Sequence, residues 1–251
     1  MHNMMRLLKY DWKRNATTLL GALAVLLIVQ VVITVTGSIR HWEPGVMMIL
    51  SMLAYGSASV LLLVVTCKNF ASNIKAYHRR LLPVRSVWSI ASSLFLACAT
   101  LLVLSILMLA HAWLYWRMSG LPWEALHLSE LPIWYYVANA LLAAWQFIFL
   151  MITIFFAITV SRSVTKKGSV WIGILVFFVL HYLLGWMNHL LFGTEDLWIG
   201  PAATIQFGNE TSVNISPGEY VFAWGGLAFE LVIAALIVYA TAYLIDRKVE
   251  V

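Results

Sequence analysis

Charge is scarce in this chain. Only 11% of its 251 residues are Asp, Glu, Lys or Arg, against about 25% in a water-soluble domain. So little charge cannot cover the surface of a protein this size in water, and 62% of the residues are hydrophobic. Cysteine is also rare. Cys67 and Cys98 both fall in or near apolar segments, which excludes a disulfide framework and suggests no metal site. No sequence period of 20 to 50 residues repeats, and the first apolar run lacks a small-residue cleavage site, so it is expected to stay as a span.

Catalytic motifs are missing too. The chain has no Gly-rich phosphate loop of the Walker type, so it is not expected to hydrolyse ATP by itself. It has no metalloprotease His/Glu pair, no paired cysteines two residues apart, no nucleophile elbow and no paired intramembrane aspartates. The sequence therefore predicts no enzyme.

What the chain does have is length of apolar run. A helix rises ~1.5 Å per residue, so about 20 apolar residues cross a ~30 Å hydrocarbon core. Six stretches qualify: Ala16–Gly37, Gly45–Cys67, Val87–Trp113, Ile133–Val160, Ser169–Leu191 and Val221–Ile245. The expected fold is an all-α membrane protein whose 251 residues form a single transmembrane domain. In it an interfacial helix over residues 1–15 precedes a six-helix bundle over 16–245, with an extracytoplasmic loop at 192–220.

Orientation follows from the basic residues. With both termini inside, 14 of the 16 Lys and Arg are cytoplasmic, leaving only Arg40 and Arg117 outside. The acids Glu43, Glu124, Glu130, Glu195, Asp196, Glu210 and Glu219 fall outside. This asymmetry is the positive-inside pattern, and it accounts for the net charge of +5 without a nucleic-acid partner.

Three segments between or before the spans carry further signal. In Met1–Arg14, Met1, Met5, Leu8 and Trp12 recur at helical spacing while Arg6, Lys9 and Lys13 lie off that face. This predicts an amphipathic helix on the inner membrane surface, or else a cytosolic extension of the first span. In Lys68–Ser86, Phe70, Ile74, Tyr77 and Leu81 mark one helix face, with Asn73, Lys75, His78 and Arg79 off it and Pro83 as the stop. A short amphipathic helix there needs a membrane surface or a protein partner; the alternative is a basic linker that anchors topology. The outer segment Phe192–Tyr220 is rich in Gly and Pro, and Asn209 and Asn214 begin tripeptides of the glycosylation type.

Inside the spans, Gln30, Gln146, His181 and Glu230 lie close to mid-membrane. Polar groups there are costly, and they face a bundle interior or a wet cavity. One reading pairs Glu230 with His181 or sets them along a pathway; the other makes all four interhelical glue. His111, His181 and His189 also raise haem ligation between helices. Ala54 and Ala58 form a pair of small residues that suits close helix packing, either within the chain or at a dimer seam.

Two stretches carry a family resemblance. One is RLLKYDWKR, from Arg6 to Arg14; the other is YHRRLLPVRSVW, from Tyr77 to Trp88. With the six-span layout, the chain resembles the permease subunit of bacterial ATP-binding-cassette exporters of the type-two class. It is also similar to small permeases of peptide-antibiotic export and self-immunity systems. Arg85 and Ser86 stand in the reverse of the family's commoner order.

The resemblance implies a separate ATPase subunit that binds ATP and Mg, no cofactor in this chain, and a second permease chain as homodimer or heterodimer partner. It makes the helix carrying Phe70, Ile74, Tyr77, Arg79, Arg80, Leu81 and Pro83 the element that couples to the ATPase. It implies a bacterial cytoplasmic membrane and a cargo such as a peptide antibiotic, drug or lipid. Two other functions fit the residues: a membrane sensor or assembly protein that holds partners through the basic loop, and a small membrane enzyme with His181 and Glu230 as acid and base.

Overall fold

The structure, a computed structural model, describes residues 2–75, 86–119, 133–164, 170–193, 203–207, 213–217 and 224–247. Six helices account for most of them: α1 (His2–Ile39), α2 (Pro44–Lys75), α3 (Ser86–Ser119), α4 (Ile133–Val164), α5 (Val170–Phe192) and α6 (Trp224–Arg247). Each contains a stretch long and apolar enough to cross a membrane. Their outward faces carry large apolar side chains such as Ile28, Leu53, Leu109 and Leu175, each more than 60% exposed. Water would not tolerate that surface, and lipid requires it. The chain is a multi-pass, all-α membrane protein with six spans.

Three elements differ from the expected layout. The amphipathic segment at the N-terminus is no separate helix but the opening turns of α1, which runs unbroken for 38 residues. No Gly or Pro precedes Gly21, so nothing interrupts the backbone ladder before the span begins. Likewise Phe70 and Ile74 belong to α2, which continues from the second span to Lys75 without a break. The outer segment also contains a two-stranded antiparallel ribbon, β1 (Ala203–Phe207) with β2 (Val213–Pro217), in register Ile205 opposite Ile215. Thr204, Ile205, Val213 and Ile215 are β-branched, which suits a strand. Asn214 lies in β2; Asn209 is outside the described residues.

The helices sort into two compact units. The first comprises Met1–Ser72 and Ala91–Pro122. Its core is built from Leu19 and Leu26 of α1, Tyr55, Ala58 and Leu62 of α2, and Leu96 and Leu104 of α3. Ala54 packs against this core beside buried Ala58, so the small-residue pair serves packing inside the chain. The turn from α1 to α2 is tight. The Trp42 amide donates to the Gly37 carbonyl at 2.9 Å and the His41 amide to the Ser38 carbonyl at 3.4 Å, with His41 left-handed at φ 48°. This is a Schellman cap with His in the position Gly usually takes. Pro44 then opens α2, where its missing N–H costs nothing, and the Glu43 carbonyl accepts the first helical bond from Val46 at 3.0 Å.

The second unit comprises Asn73–Ile90 and Trp123–Val251. Here α4 packs on both α5 and α6. Phe149 and Ile152 meet Ala234 and Ile237, with Leu180 and Leu184 of α5 against them. Gly173 of α5 lies against Ala157 and Ser161 of α4, with room for a methyl group at ordinary contact distance. Beyond such contacts α5 is open: none of its residues is buried. It ends at Gly193, whose φ of +79° lets its amide reach the His189 carbonyl at 2.9 Å, a left-handed cap that only Gly adopts freely.

Candidate functional site

Each unit holds a buried polar group of residues where apolar packing would be the cheaper solution. In the first unit the group ties together the start of α1, the end of α2 and the start of α3. Asp11 is fully buried. Its Oδ2 accepts from Ser92 Oγ at 2.8 Å, and its Oδ1 lies 3.7 Å from Arg14 Nη2. Arg14 also donates to the Asn69 backbone carbonyl at 3.4 Å and to Asn69 Oδ1. Asn15 Nδ2 donates to the same Oδ1 at 2.8 Å and to the Asp11 carbonyl at 2.8 Å. Asn69 Nδ2 is buried without a partner. Five polar residues thus clamp three helices at one end of the unit.

Asp11 and Ser92 had no place among the expected site residues, although a signal was present. Asp11 is the only acid in the first 42 residues and sits amid four basic ones. A lone carboxylate in such a run has an obvious partner on its own helix, three residues on.

Further along the same unit, Gln30 is buried and its Nε2 donates to the Ser51 carbonyl at 3.2 Å, while its Oε1 has no donor. Thr34 bonds the Gln30 carbonyl at 2.8 Å and lies 3.3 Å from His111 Nε2. The His111 ring stands 6.0 Å from Tyr55, whose hydroxyl donates to the Leu107 carbonyl at 3.2 Å. Gln30 and His111 therefore act in holding α1, α2 and α3 together.

The second unit centres on Glu230, which is 6% exposed. Trp145 Nε1 donates to its Oε2 at 2.7 Å, and Gln146 Nε2 to the same oxygen at 3.3 Å. Oε1 is buried and has no donor. The expected partnership with His181 is not formed. His181 instead lies 3.5 Å from Thr153 Oγ1 and packs edge-on against Phe177 at 4.3 Å. The physical reason is competition: α4 supplies two adjacent N–H donors to Glu230, and His181 is engaged by its own neighbours. Of the four expected intramembrane residues, Gln146 and Glu230 come together, while His181 and Gln30 each have other partners. Trp145 was not foreseen; its signal is position, because Trp usually settles at the membrane interface and this one lies well inside α4.

The arrangement around Glu230 is incomplete as it stands. A buried carboxyl oxygen without a donor is costly. Among the described residues no group of three or more His, Cys, Asp or Glu is placed to hold a metal ion.

For the expected coupling helix, Phe70 and Ile74 are both buried, so their apolar faces are used inside the chain. Tyr77, Arg79, Arg80, Leu81 and Pro83 lie outside the described residues.

Compared with known proteins, the chain matches no protein-family model, no curated protein and no solved structure.

Proposed function

We propose that this chain is the permease subunit of an ATP-binding-cassette exporter in a bacterial cytoplasmic membrane, with both termini on the cytoplasmic side. The observation that carries the reading is the continuity of α2. This helix extends from the second span to Lys75, where the basic segment with Tyr77 to Pro83 begins, and Asn69 near its end is clamped to Arg14 and Asn15 of α1. A push on the basic segment would reach the spans through an unbroken helix, and the clamp would carry it to α1 and, through Asp11 and Ser92, to α3.

Because Phe70 and Ile74 are buried, the ATPase contact in this reading falls to the residues after Lys75, with Tyr77 and Leu81 as the apolar anchors and Arg79 and Arg80 beside them. A helix-in-groove contact of this kind needs such anchors. A separate subunit would bind ATP and Mg, a second permease chain would complete the pathway, and the unused acceptor on Glu230 would meet a donor group of the cargo.

The test is affinity purification of the tagged full chain in mild detergent, followed by mass spectrometry. The expected result is a stoichiometric ATPase with Walker motifs, lost when Tyr77 and Leu81 are changed to Asp. No ATPase under conditions that preserve a known transporter complex would overturn the reading.

A further inference from the structure

A groove of about 510 Å³ runs along the second unit between α4 and α6. Trp145 and Ile152 line it from α4, Leu231, Val238 and Ala242 from α6, and Val87 from the first turn of α3. On α6 the lining extends over eleven residue steps, from Leu231 to Ala242, about 17 Å at ~1.5 Å per residue. That is close to half of a ~30 Å hydrocarbon core, the depth that the acyl chains of one leaflet fill. The groove is large enough for a chain of that length, since small-molecule sites occupy about 300–1,000 Å³.

Its walls are apolar. The one N–H of the Trp145 indole is committed to Glu230, so this ring presents only its hydrocarbon surface to the groove. An apolar cavity of this kind holds hydrocarbon rather than water. Every lining residue belongs to a membrane-spanning stretch, so hydrocarbon is what surrounds the opening.

Beyond the groove the last turn of α6 carries exposed Asp246 and Arg247 side by side. Tyr239, in the groove wall, is followed by Tyr243 and Arg247 at four-residue intervals along α6. The Arg247 guanidinium carbon stands 5.7 Å from the centre of the Tyr243 ring in the last turn of the helix, and its side chain is exposed. A file of two aromatic rings thus leads from the lower end of the groove to a cation at the membrane boundary. Cations at that level attract anionic headgroups, and an arginine fork suits a phosphate.

We propose that this groove is a binding site for one acyl chain of an anionic membrane phospholipid, whose phosphate is held by Arg247. The proposal does not depend on an ATPase partner. The experiment is native mass spectrometry of the full chain, delipidated and then exposed to phosphatidylglycerol or phosphatidylcholine in mild detergent. Three variants accompany it. Ala235→Trp fills the groove from a lining position, Leu236→Trp adds the same ring on the adjacent exposed face, and Arg247→Gln removes the cation.

The wild type is expected to retain one phosphatidylglycerol at least about fivefold better than phosphatidylcholine. Ala235→Trp should lose the bound lipid, Leu236→Trp should keep it, and Arg247→Gln should bind both lipids equally. Equal retention by the wild type and Ala235→Trp would overturn the site. So would parallel loss in both Trp variants, which would place the effect outside the groove. An unchanged preference in Arg247→Gln would overturn the headgroup assignment.

Discussion

The indole N–H of Trp145 lies 2.7 Å from Oε2 of Glu230, and the other carboxyl oxygen has no donor among the described residues. The carboxyl is therefore held at one oxygen, while the other is buried and unbonded. Trp145→Phe puts a smaller ring without an N–H in place of the indole and so removes the shorter of the two bonds to Glu230; that bond alone should cost about 1–3 kcal/mol, the range for a hydrogen bond to a charged or buried group. Gln146→Leu should cost less, because its bond is longer at 3.3 Å. Thermal unfolding of the purified variants measures both, and an equal or reversed order would contradict the geometry.

Glu230→Gln separates holding from function. An amide preserves size and can still accept from Trp145 through its oxygen, so folded protein should be recovered at near wild-type yield. It replaces an acceptor with a donor at the unbonded oxygen, so, if the proposed export function holds, transport of a cargo that donates there should fall at least about tenfold. A cellular export assay beside a purification yield measures the split. Full transport by the variant would remove Glu230 from the pathway and leave it a packing residue.

The clamp of the first unit gives a pairwise test. Ser92→Ala leaves Asp11 Oδ2 buried without its 2.8 Å donor, and Asp11→Asn reduces the attraction to Arg14. Each should destabilise by about 1–3 kcal/mol. Because the two residues share one bond, the double variant should cost less than the sum, with a coupling of about 0.5–3 kcal/mol. Additive losses would show that Asp11 and Ser92 act separately.

How much of this was legible follows from what each signal is. The six spans were, because lipid imposes apolar runs of fixed minimum length, and the ends of α5 differ from the expected Ser169 and Leu191 by one residue each. The helix breaks were less so: Arg6 to Arg14 reads as a surface segment by its charge, yet only Gly or Pro would have separated it from the span. At the site, Glu230 and Gln146 stood out as polar residues in apolar surroundings. Their pairing did not, because periodicity gives the face of a helix and not its neighbour, so the choice between Trp145 and His181 as the partner of Glu230 depends on how α4, α5 and α6 pack. The ribbon at β1 and β2 was hidden by the surrounding Gly and Pro, which read as loop.

The turn between α1 and α2 offers a stabilising change. His41 holds a left-handed backbone at φ 48°, where a side chain costs about 1–2 kcal/mol and Gly costs nothing comparable. His41→Gly should raise stability by a few tenths to about 1 kcal/mol, after Gly's larger unfolded-state entropy is subtracted. His41→Val, branched at Cβ, should lower it by more than that. Thermal unfolding of the two variants measures the ordering, and a less stable Gly variant would mean that the His41 side chain contributes more than the cap geometry.

The last prediction concerns α2 as a mechanical element and rests on the proposed coupling to an ATPase. Ala71 lies in α2 between clamped Asn69 and the end of the helix at Lys75. Ala71→Pro removes one backbone bond and forces a kink or break, at about 3 kcal/mol in a helix interior. The residues after Lys75 would keep their sequence and so their affinity for the ATPase, but the path from them to the spans would be broken. The variant should therefore co-purify with the ATPase at the wild-type ratio while export falls at least about tenfold, and Ala71→Ser should be wild-type in both. Loss of the ATPase together with export would indicate that the helix end shapes the docking surface itself. Full export with the helix broken would rule out α2 as the lever and shift the transmission to another element.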